Sequence, residues 1–246
     1  IGNALGSNTI NILLVLGVTL CILPLYIDKR VLRKDFLLLM GATALFTLLI
    51  LDRQLAFIDG IILILALALI LYILTRLELK EHVRREPTRP PTGKTLTALS
   101  IGLALGLAIL LLSSKLVVWS AVSIAGHLGI SDLIIGLTII ALGTSLPELA
   151  TCISSAMKKH SELALGNIIG SNIFNTLGVT GVASLIAVYS IPREIYVRDL
   201  PIMLIATIGL FLLACIFLRI KKIPRSFGIL FIIAYSMYIF FIYQQT

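Results

Sequence analysis

The chain has 246 residues, of which 59% are hydrophobic and 13% charged, and its formal net charge is +8. One soluble core of this size cannot bury so many apolar side chains, so the composition excludes an ordinary soluble domain and predicts a membrane protein. Cys21, Cys152 and Cys215 lie in apolar runs without metal-ligand spacing, which indicates packing roles and excludes a disulfide scaffold.

Eight apolar runs follow one another along the chain, each near the length needed to cross a bilayer. Their bounds are 5–27, 36–51, 57–75, 96–119 (with an extension to 126), 131–155, 163–188, 200–218 and 227–243. The second run is the shortest. We therefore predict an all-α fold, a polytopic transmembrane helical bundle of about eight spans.

A hydrophilic stretch at 76–94 contains three prolines and predicts a solvated linker. The linker divides the chain into a first unit, 1–75, with three spans and a second unit, 95–246, with five. When sides are assigned by alternation, sixteen Lys and Arg residues share the linker's side and three lie opposite. This asymmetry predicts a cytoplasmic linker and an external C-terminus, and it explains the positive charge without a nucleic-acid partner.

A polar pattern occurs twice, at 2–11 and again 164 positions later at 166–175. The glycines, the serine and the three asparagines are identical, and the same register relates Gly17 to Gly181. The predicted chain crosses the membrane five times between the two copies, so the copies enter from opposite faces. Such an inverted repeat is typical of secondary transporters that work by alternating access. The spacing of the glycines also suits close helix packing, and the polar residues suit interhelical hydrogen bonding.

The second unit contains a polar motif in the middle of a predicted span. Pro147 removes a backbone donor, which predicts a helix break between Gly143 and Pro147. Thr144, Ser145 and Glu148 surround the break and share one helical face. Hard oxygen ligands with a carboxylate suit Na⁺, Ca²⁺ or H⁺, and a carboxylate in mid-span costs about 2.5–3.5 kcal/mol to insert, which favours a functional role.

Together, 143–149 and 166–175 resemble the second alpha-repeat of the calcium/cation antiporter superfamily, nearest the prokaryotic sodium/calcium exchangers. The resemblance covers the whole chain. It implies ten spans in two inverted halves, of which this chain holds spans three to ten, as expected if it lacks an N-terminal part. It also implies a prokaryotic cell (inner) membrane location.

The resemblance implies that the break and the neighbouring spans bind the cation. The implied ligands are Thr144, Ser145, Glu148, the carbonyl of Ala141, Ser171, Asn175, and the symmetry mates Ser7 and Asn11. Many sodium/calcium exchangers have Asp where this chain has Asn175, and an amide gives up a charge that would favour tight Ca²⁺ binding.

We therefore expect Na⁺-coupled Ca²⁺ exchange, with inorganic cations and the lipid bilayer as partners and no cofactor. An H⁺-coupled or other-cation antiporter would share the fold and most of the site, and an ion channel is a weaker alternative. An enzyme is not expected, because the sequence places no histidine near Ser145 or Ser171.

Overall fold

The computed structural model describes residues 1–82, 96–129 and 141–244, most of which are helical. Nine helices, numbered in chain order, cover these ranges, and four of them contain a π-helical turn. They are α1 (Gly2–Ile10, π-turn Asn11–Val15, Leu16–Ile22), α2 (Lys29–Val31, π-turn Leu32–Phe36, Leu37–Leu49), α3 (Phe57–His82), α4 (Leu96–His127), α5 (Ala141–Thr144), α6 (Leu146–Met157), α7 (Ser161–Ile173, π-turn Phe174–Val179, Thr180–Ile186), α8 (π-turn Ile195–Asp199, Leu200–Phe217) and α9 (Ser226–Gln244).

The helices confirm the all-α class, and each predicted apolar run overlaps at least one of them. Five helical stretches among the described residues are long and apolar enough to cross a membrane. They are Gly2–Ile22, Phe57–Leu77, Thr97–His127, Ser161–Ile186 and Ile195–Phe217. The first part of the predicted span 131–155 lies outside the described residues, so the number of eight spans stays a prediction.

The linker differs from its prediction at its first residues. Helix α3 continues to His82, although the linker was expected to begin at 76. The sequence from Leu77 to Lys80 consists of good helix formers and the first proline comes only at Pro87, so the helix has no reason to end with the apolar run. The rest of the linker, from 83 to 94, lies outside the described residues.

Helix α1 occupies the centre of the molecule. Its membrane-spanning window is 72% buried, whereas that of α4 is only 6% buried. The core around α1 is built from large apolar side chains, with Leu16, Phe36 and Phe46 fully buried. A helix that is buried on nearly all sides can hold polar groups away from lipid and water, which is the environment that an ion site needs.

Two short antiparallel ladders, which the sequence did not predict, define the direction of the helices. Leu25–Tyr26, between α1 and α2, pairs with Lys222–Ile223, and Gln54–Leu55, between α2 and α3, pairs with Tyr189–Ser190 after α7. The C-terminal ends of α1 and α7 therefore lie at opposite ends of α2. It follows that α1 and α7 run antiparallel, as the inverted repeat requires.

The same symmetry appears at two crossings where helix backbones come close together. A Cβ added to Gly228 of α9 would lie 2.6 Å from the Gly17 carbonyl oxygen, and one added to Gly60 of α3 would lie 2.9 Å from that of Gly181. These two crossings, α1 with α9 and α7 with α3, therefore need glycine because backbones touch. The packing interpretation of the motif glycines stays a prediction, since a Cβ added to Gly6 would meet no described atom within 4 Å. Gly166 and Gly170 are equally open on this measure.

Candidate cation-binding site

The predicted helix break lies at Ser145. Helix α5 ends at Thr144 and α6 begins at Leu146, with Ser145 between them at φ −97° and ψ 3°. The Ser145 N–H donates to the Leu142 carbonyl oxygen at 3.0 Å, which forms a tight turn. Pro147 supplies no N–H to the preceding turn. The break therefore places Ser145 directly before the first turn of α6, which carries Glu148.

Glu148 lies beside α7, in an open pocket of about 380 Å³ that α6 and α7 form. The pocket is lined by Glu148, Gly166, Asn167, Gly170, Ser171, Phe174 and Asn175. Ser171 and Glu148 thus face the same pocket from α7 and α6. The Asn167 amide donates to the Glu148 carbonyl oxygen at 3.5 Å and to the Cys152 thiol at 3.4 Å. Asn167 thus ties α7 to α6, and the open space at both glycines belongs to the pocket.

The first repeat meets the break from the other side. The Ser7 hydroxyl of α1 lies 3.4 Å from the Thr144 hydroxyl at the end of α5. Ser7 is buried and is the repeat counterpart of Ser171. The two serines therefore approach the broken helix from two antiparallel helices, Ser7 before the break and Ser171 after it.

Four asparagines join α1 to α7 by a symmetric set of hydrogen bonds. Asn8 Nδ2 donates to the Asn172 carbonyl oxygen, and Asn172 Nδ2 donates to the Asn8 carbonyl oxygen, both at 3.4 Å. Asn11 Nδ2 donates to Asn172 Oδ1 at 3.0 Å, and Asn175 Nδ2 donates to Asn8 Oδ1 at 3.2 Å. Each bond has its counterpart in the other repeat, so a pseudo-twofold axis passes between Asn8 and Asn172. We call these four residues the amide clasp.

The π-turns begin at or next to the outer members of the amide clasp. The Asn11 carbonyl accepts from the Leu16 N–H, and the Asn175 carbonyl accepts from the Thr180 N–H, each five residues on. Such turns are rare and frequently occur at functional sites. The matching position of both π-turns is a second structural sign of the repeat.

Three buried side-chain oxygens have no hydrogen-bond partner among the described residues, and all three belong to predicted ligands. They are Asn11 Oδ1, Ser145 Oγ and Glu148 Oε2. Buried oxygens without a partner are costly and are expected where an ion or another group completes their coordination. The described residues also contain no group of three or more His, Cys, Asp or Glu suited to a metal. The donor set is therefore one carboxylate with hydroxyl and amide oxygens, which suits a hard cation.

The structure brings most predicted ligands together. Glu148, Ser171 and Asn175 share the pocket, and Ser7 touches Thr144. Asn11 joins the clasp, Ser145 occupies the break, and Ala141 begins the short helix before it. Sequence reasoning missed three contributors: Asn8, Asn172 and Asn167. The repeat itself was the available signal, because all three are polar residues in the repeated motif within apolar spans.

Two antiparallel bundles related by a pseudo-twofold axis, with a broken helix and a carboxylate where they meet, define the class of secondary transporters. The chain belongs to the sodium/calcium exchanger family, because the model of the sodium/calcium exchanger protein family matches residues 1–76 and 98–244. It is thus an integral, multi-pass membrane protein of a family of cation antiporters.

Individual relatives agree with this membership. The chain is 39% identical to CaxA of Alkalimonas amylolytica, over 100% of this chain and 78% of the relative. It is 35% identical to the inner membrane protein YrbG of Escherichia coli, over 94% of this chain and 72% of the relative. A solved structure of the sodium-calcium exchanger NCX_Mj, soaked with Na⁺ and Sr²⁺, matches with a TM-score of 0.77 at 30% identity, over 96% of this chain and 74% of that one.

Proposed function

We propose that the protein exchanges Na⁺ for Ca²⁺ across the membrane by alternating access, with its cation site between α1, α6 and α7. The observation that carries this proposal is the unpartnered, buried Oε2 of Glu148, whose side chain lines a pocket with Ser171 and Asn175. Because a carboxylate at membrane depth is costly, a positively charged substrate is the natural partner for it.

The chemistry of the proposed ligands favours Ca²⁺ and Na⁺ over softer metals. Both ions prefer oxygen, and Ca²⁺ takes six to eight oxygen ligands, including carboxylates and carbonyls. The proposed set supplies the Glu148 carboxylate, hydroxyls of Thr144, Ser145, Ser171 and Ser7, amide oxygens of Asn11 and Asn175, and the Ala141 carbonyl. Because these oxygens come from elements of both repeats, relative motion of the repeats would change the coordination.

The proposal includes the topology in which the 76–94 linker is cytoplasmic and the C-terminus external. The inverted arrangement of α1 and α7 lets one rocking motion open the site to either side in turn. The proposal includes no cofactor and no catalysis, since binding and motion suffice for exchange. The two units, 1–75 and 95–246, are the bodies that we expect to move relative to each other.

A proton-coupled antiporter is the second candidate, and Asn175 is the observation that favours it. An amide at this position supplies an acceptor oxygen but no charge, so Glu148 is the only carboxylate lining the described pocket. A site with fewer charges binds a divalent ion less tightly and could be emptied by protonation of Glu148.

The deciding experiment is uptake of radioactive Ca²⁺ by proteoliposomes containing the protein. One batch of liposomes contains Na⁺ at the external pH, a second contains a buffer without Na⁺ that is more acidic than the outside, and a third contains choline at the external pH. Ca²⁺ is then added outside. Uptake that occurs only in the Na⁺-loaded liposomes supports our proposal. Uptake driven only by the pH difference would establish the second candidate. Uptake with choline, together with single-channel currents, would replace both with a channel.

A further inference from the structure

The orientation of two buried amides is fixed by backbone atoms that can only accept. Asn8 Nδ2 faces the Asn172 carbonyl oxygen, and Asn172 Nδ2 faces the Asn8 carbonyl oxygen. Rotating either amide by 180° would set two acceptors against each other. Thr176 Oγ1 accepts from the same Asn8 Nδ2 at 2.7 Å. The side chains of Asn8 and Asn172 thus have one orientation each.

The fixed orientation of Asn8 and Asn172 also determines the orientation of the two predicted ligands, Asn175 and Asn11. Asn8 Oδ1 must accept, so Asn175 turns its Nδ2 towards it, and Asn172 Oδ1 selects Nδ2 of Asn11 in the same way. The remaining atom of each ligand amide is its carbonyl oxygen. Asn11 Oδ1 is buried without a partner among the described residues, and Asn175 lines the pocket that contains Glu148.

We propose that Asn8 and Asn172 are positioning residues that hold the ligand amides of Asn175 and Asn11 with their carbonyl oxygens directed to the cation. This inference rests on the proposed function, in which Asn11 and Asn175 bind the transported ion. Neither positioning residue touches the ion; each acts through the other repeat's ligand. Because each repeat orients the ligand of the other, the cation site depends on the contact between the repeats.

The clasp also favours an amide at position 175. A carboxylate there would place an acceptor against Asn8 Oδ1, and Asn8 could turn away only by losing its bonds to Thr176 and to the Asn172 carbonyl. The same argument applies to Asn11 opposite Asn172.

The test is a double-mutant cycle with Asn8→Ser, Asn175→Ala and both together, in the reconstituted protein. The readout is the KM and the turnover for the cation that the wild type transports. Asn8→Ser alone should raise KM about three- to tenfold, since one oriented hydrogen bond is lost, while turnover changes little. On the Asn175→Ala background, Asn8→Ser should add nothing. Equal effects on both backgrounds would overturn the inference.

Controls separate positioning from general damage to the fold. Thr207→Ser removes a buried methyl group and keeps the hydroxyl that donates to the Met203 carbonyl oxygen of its own helix, and its effect should add to that of Asn175→Ala. The mirror cycle, Asn172→Ser with Asn11→Ala, replaces the first one if Asn8→Ser does not fold. The melting temperature without cations is also measured for every variant of both cycles. If the wild type transports no cation, the proposed function fails, but coupled melting temperatures still support the clasp and additive ones refute it.

Discussion

Helices α1 and α7 carry the same motif, yet the structure gives the two copies different surroundings. Asn11 is completely buried, whereas its counterpart Asn175 is partly exposed and lines the pocket. Ser7 is buried against Thr144, and Ser171 lies by Glu148. The reciprocal contacts of Asn8 and Asn172 are identical in both copies. Symmetry therefore fixes how the repeats cross, while the described elements that surround each copy differ.

The largest effect on transport should come from Glu148, the carboxylate in the first turn after the helix break. Glu148→Gln keeps the shape and removes the charge, so Ca²⁺ flux should fall to the level of empty liposomes while folding stays near normal. The control is Glu162→Gln, which neutralises an exposed carboxylate at the start of α7 and should leave flux unchanged. Normal flux in Glu148→Gln would remove Glu148 from the site.

A smaller asymmetry is expected for the two serines. Ser171→Ala removes a hydroxyl from the pocket that contains Glu148 and should raise the KM for Ca²⁺ about three- to tenfold. Ser7→Ala should raise it only about twofold, because the 3.4 Å contact with Thr144 is weak. Ser113→Ala, on the exposed face of α4, is the neutral reference for the transport assay. Equal effects of Ser7 and Ser171 would mean that both copies contact the cation alike.

The two outer asparagines should respond differently to added charge. Asn175→Asp gives up the hydrogen bond to Asn8 Oδ1 but adds a charge beside the ion. The added charge should outweigh the lost bond, so Ca²⁺ binding should strengthen about three- to tenfold at a pH at which the new carboxyl group is ionised, and the gain should vanish as the pH falls and that group is protonated. Asn11→Asp should bring little gain, because a completely buried carboxyl group stays neutral. The check is the Ca²⁺ KM against pH for both variants. A pH-independent KM in Asn175→Asp would argue that position 175 lies away from the ion.

The smallest effects on transport are expected at the paired glycine crossings, where stability should change instead. Gly228→Ala would push a Cβ to 2.6 Å from the Gly17 carbonyl and Gly60→Ala to 2.9 Å from that of Gly181. Each should cost about 1–3 kcal/mol by overpacking, with Gly228→Ala the worse. Gly102→Ala, where a Cβ meets no described atom within 4 Å, should be neutral or stabilising. The measurement is the melting temperature in detergent; unchanged values for both crossings would contradict the close approach.

Local chemistry explains what the sequence could predict. Apolar runs predicted the helices, and Pro147 predicted the break, which lies at Ser145, inside the expected interval. The repeated motif predicted the inverted pair, since the predicted number of crossings between its copies is odd. These features depend on residues that lie close together in the chain, or on the number of predicted spans between the two copies of the motif.

The remaining features depend on which atoms meet across the fold. The bond from Asn175 to Asn8 joins residues 167 positions apart, and no periodicity reveals which amide of each motif faces the partner helix. The role of Gly17 was visible only as a match to Gly181, because its close neighbour Gly228 lies outside the repeated motif. The ladders and the continuation of α3 to His82 likewise follow from packing and propensity beyond the apolar runs.

The position of the bound ion tests the central claim most directly. Crystals of the protein soaked with Sr²⁺, a heavier divalent ion with strong anomalous scattering, should show one peak beside the Glu148 carboxylate. The ion should lie about 2.3–2.6 Å, or slightly more for the larger ion, from its oxygen ligands, with Ser171 and Asn175 among them. A Glu148→Gln crystal should lose the peak. A well-occupied Sr²⁺ site elsewhere, with the Glu148 pocket empty, would contradict our account.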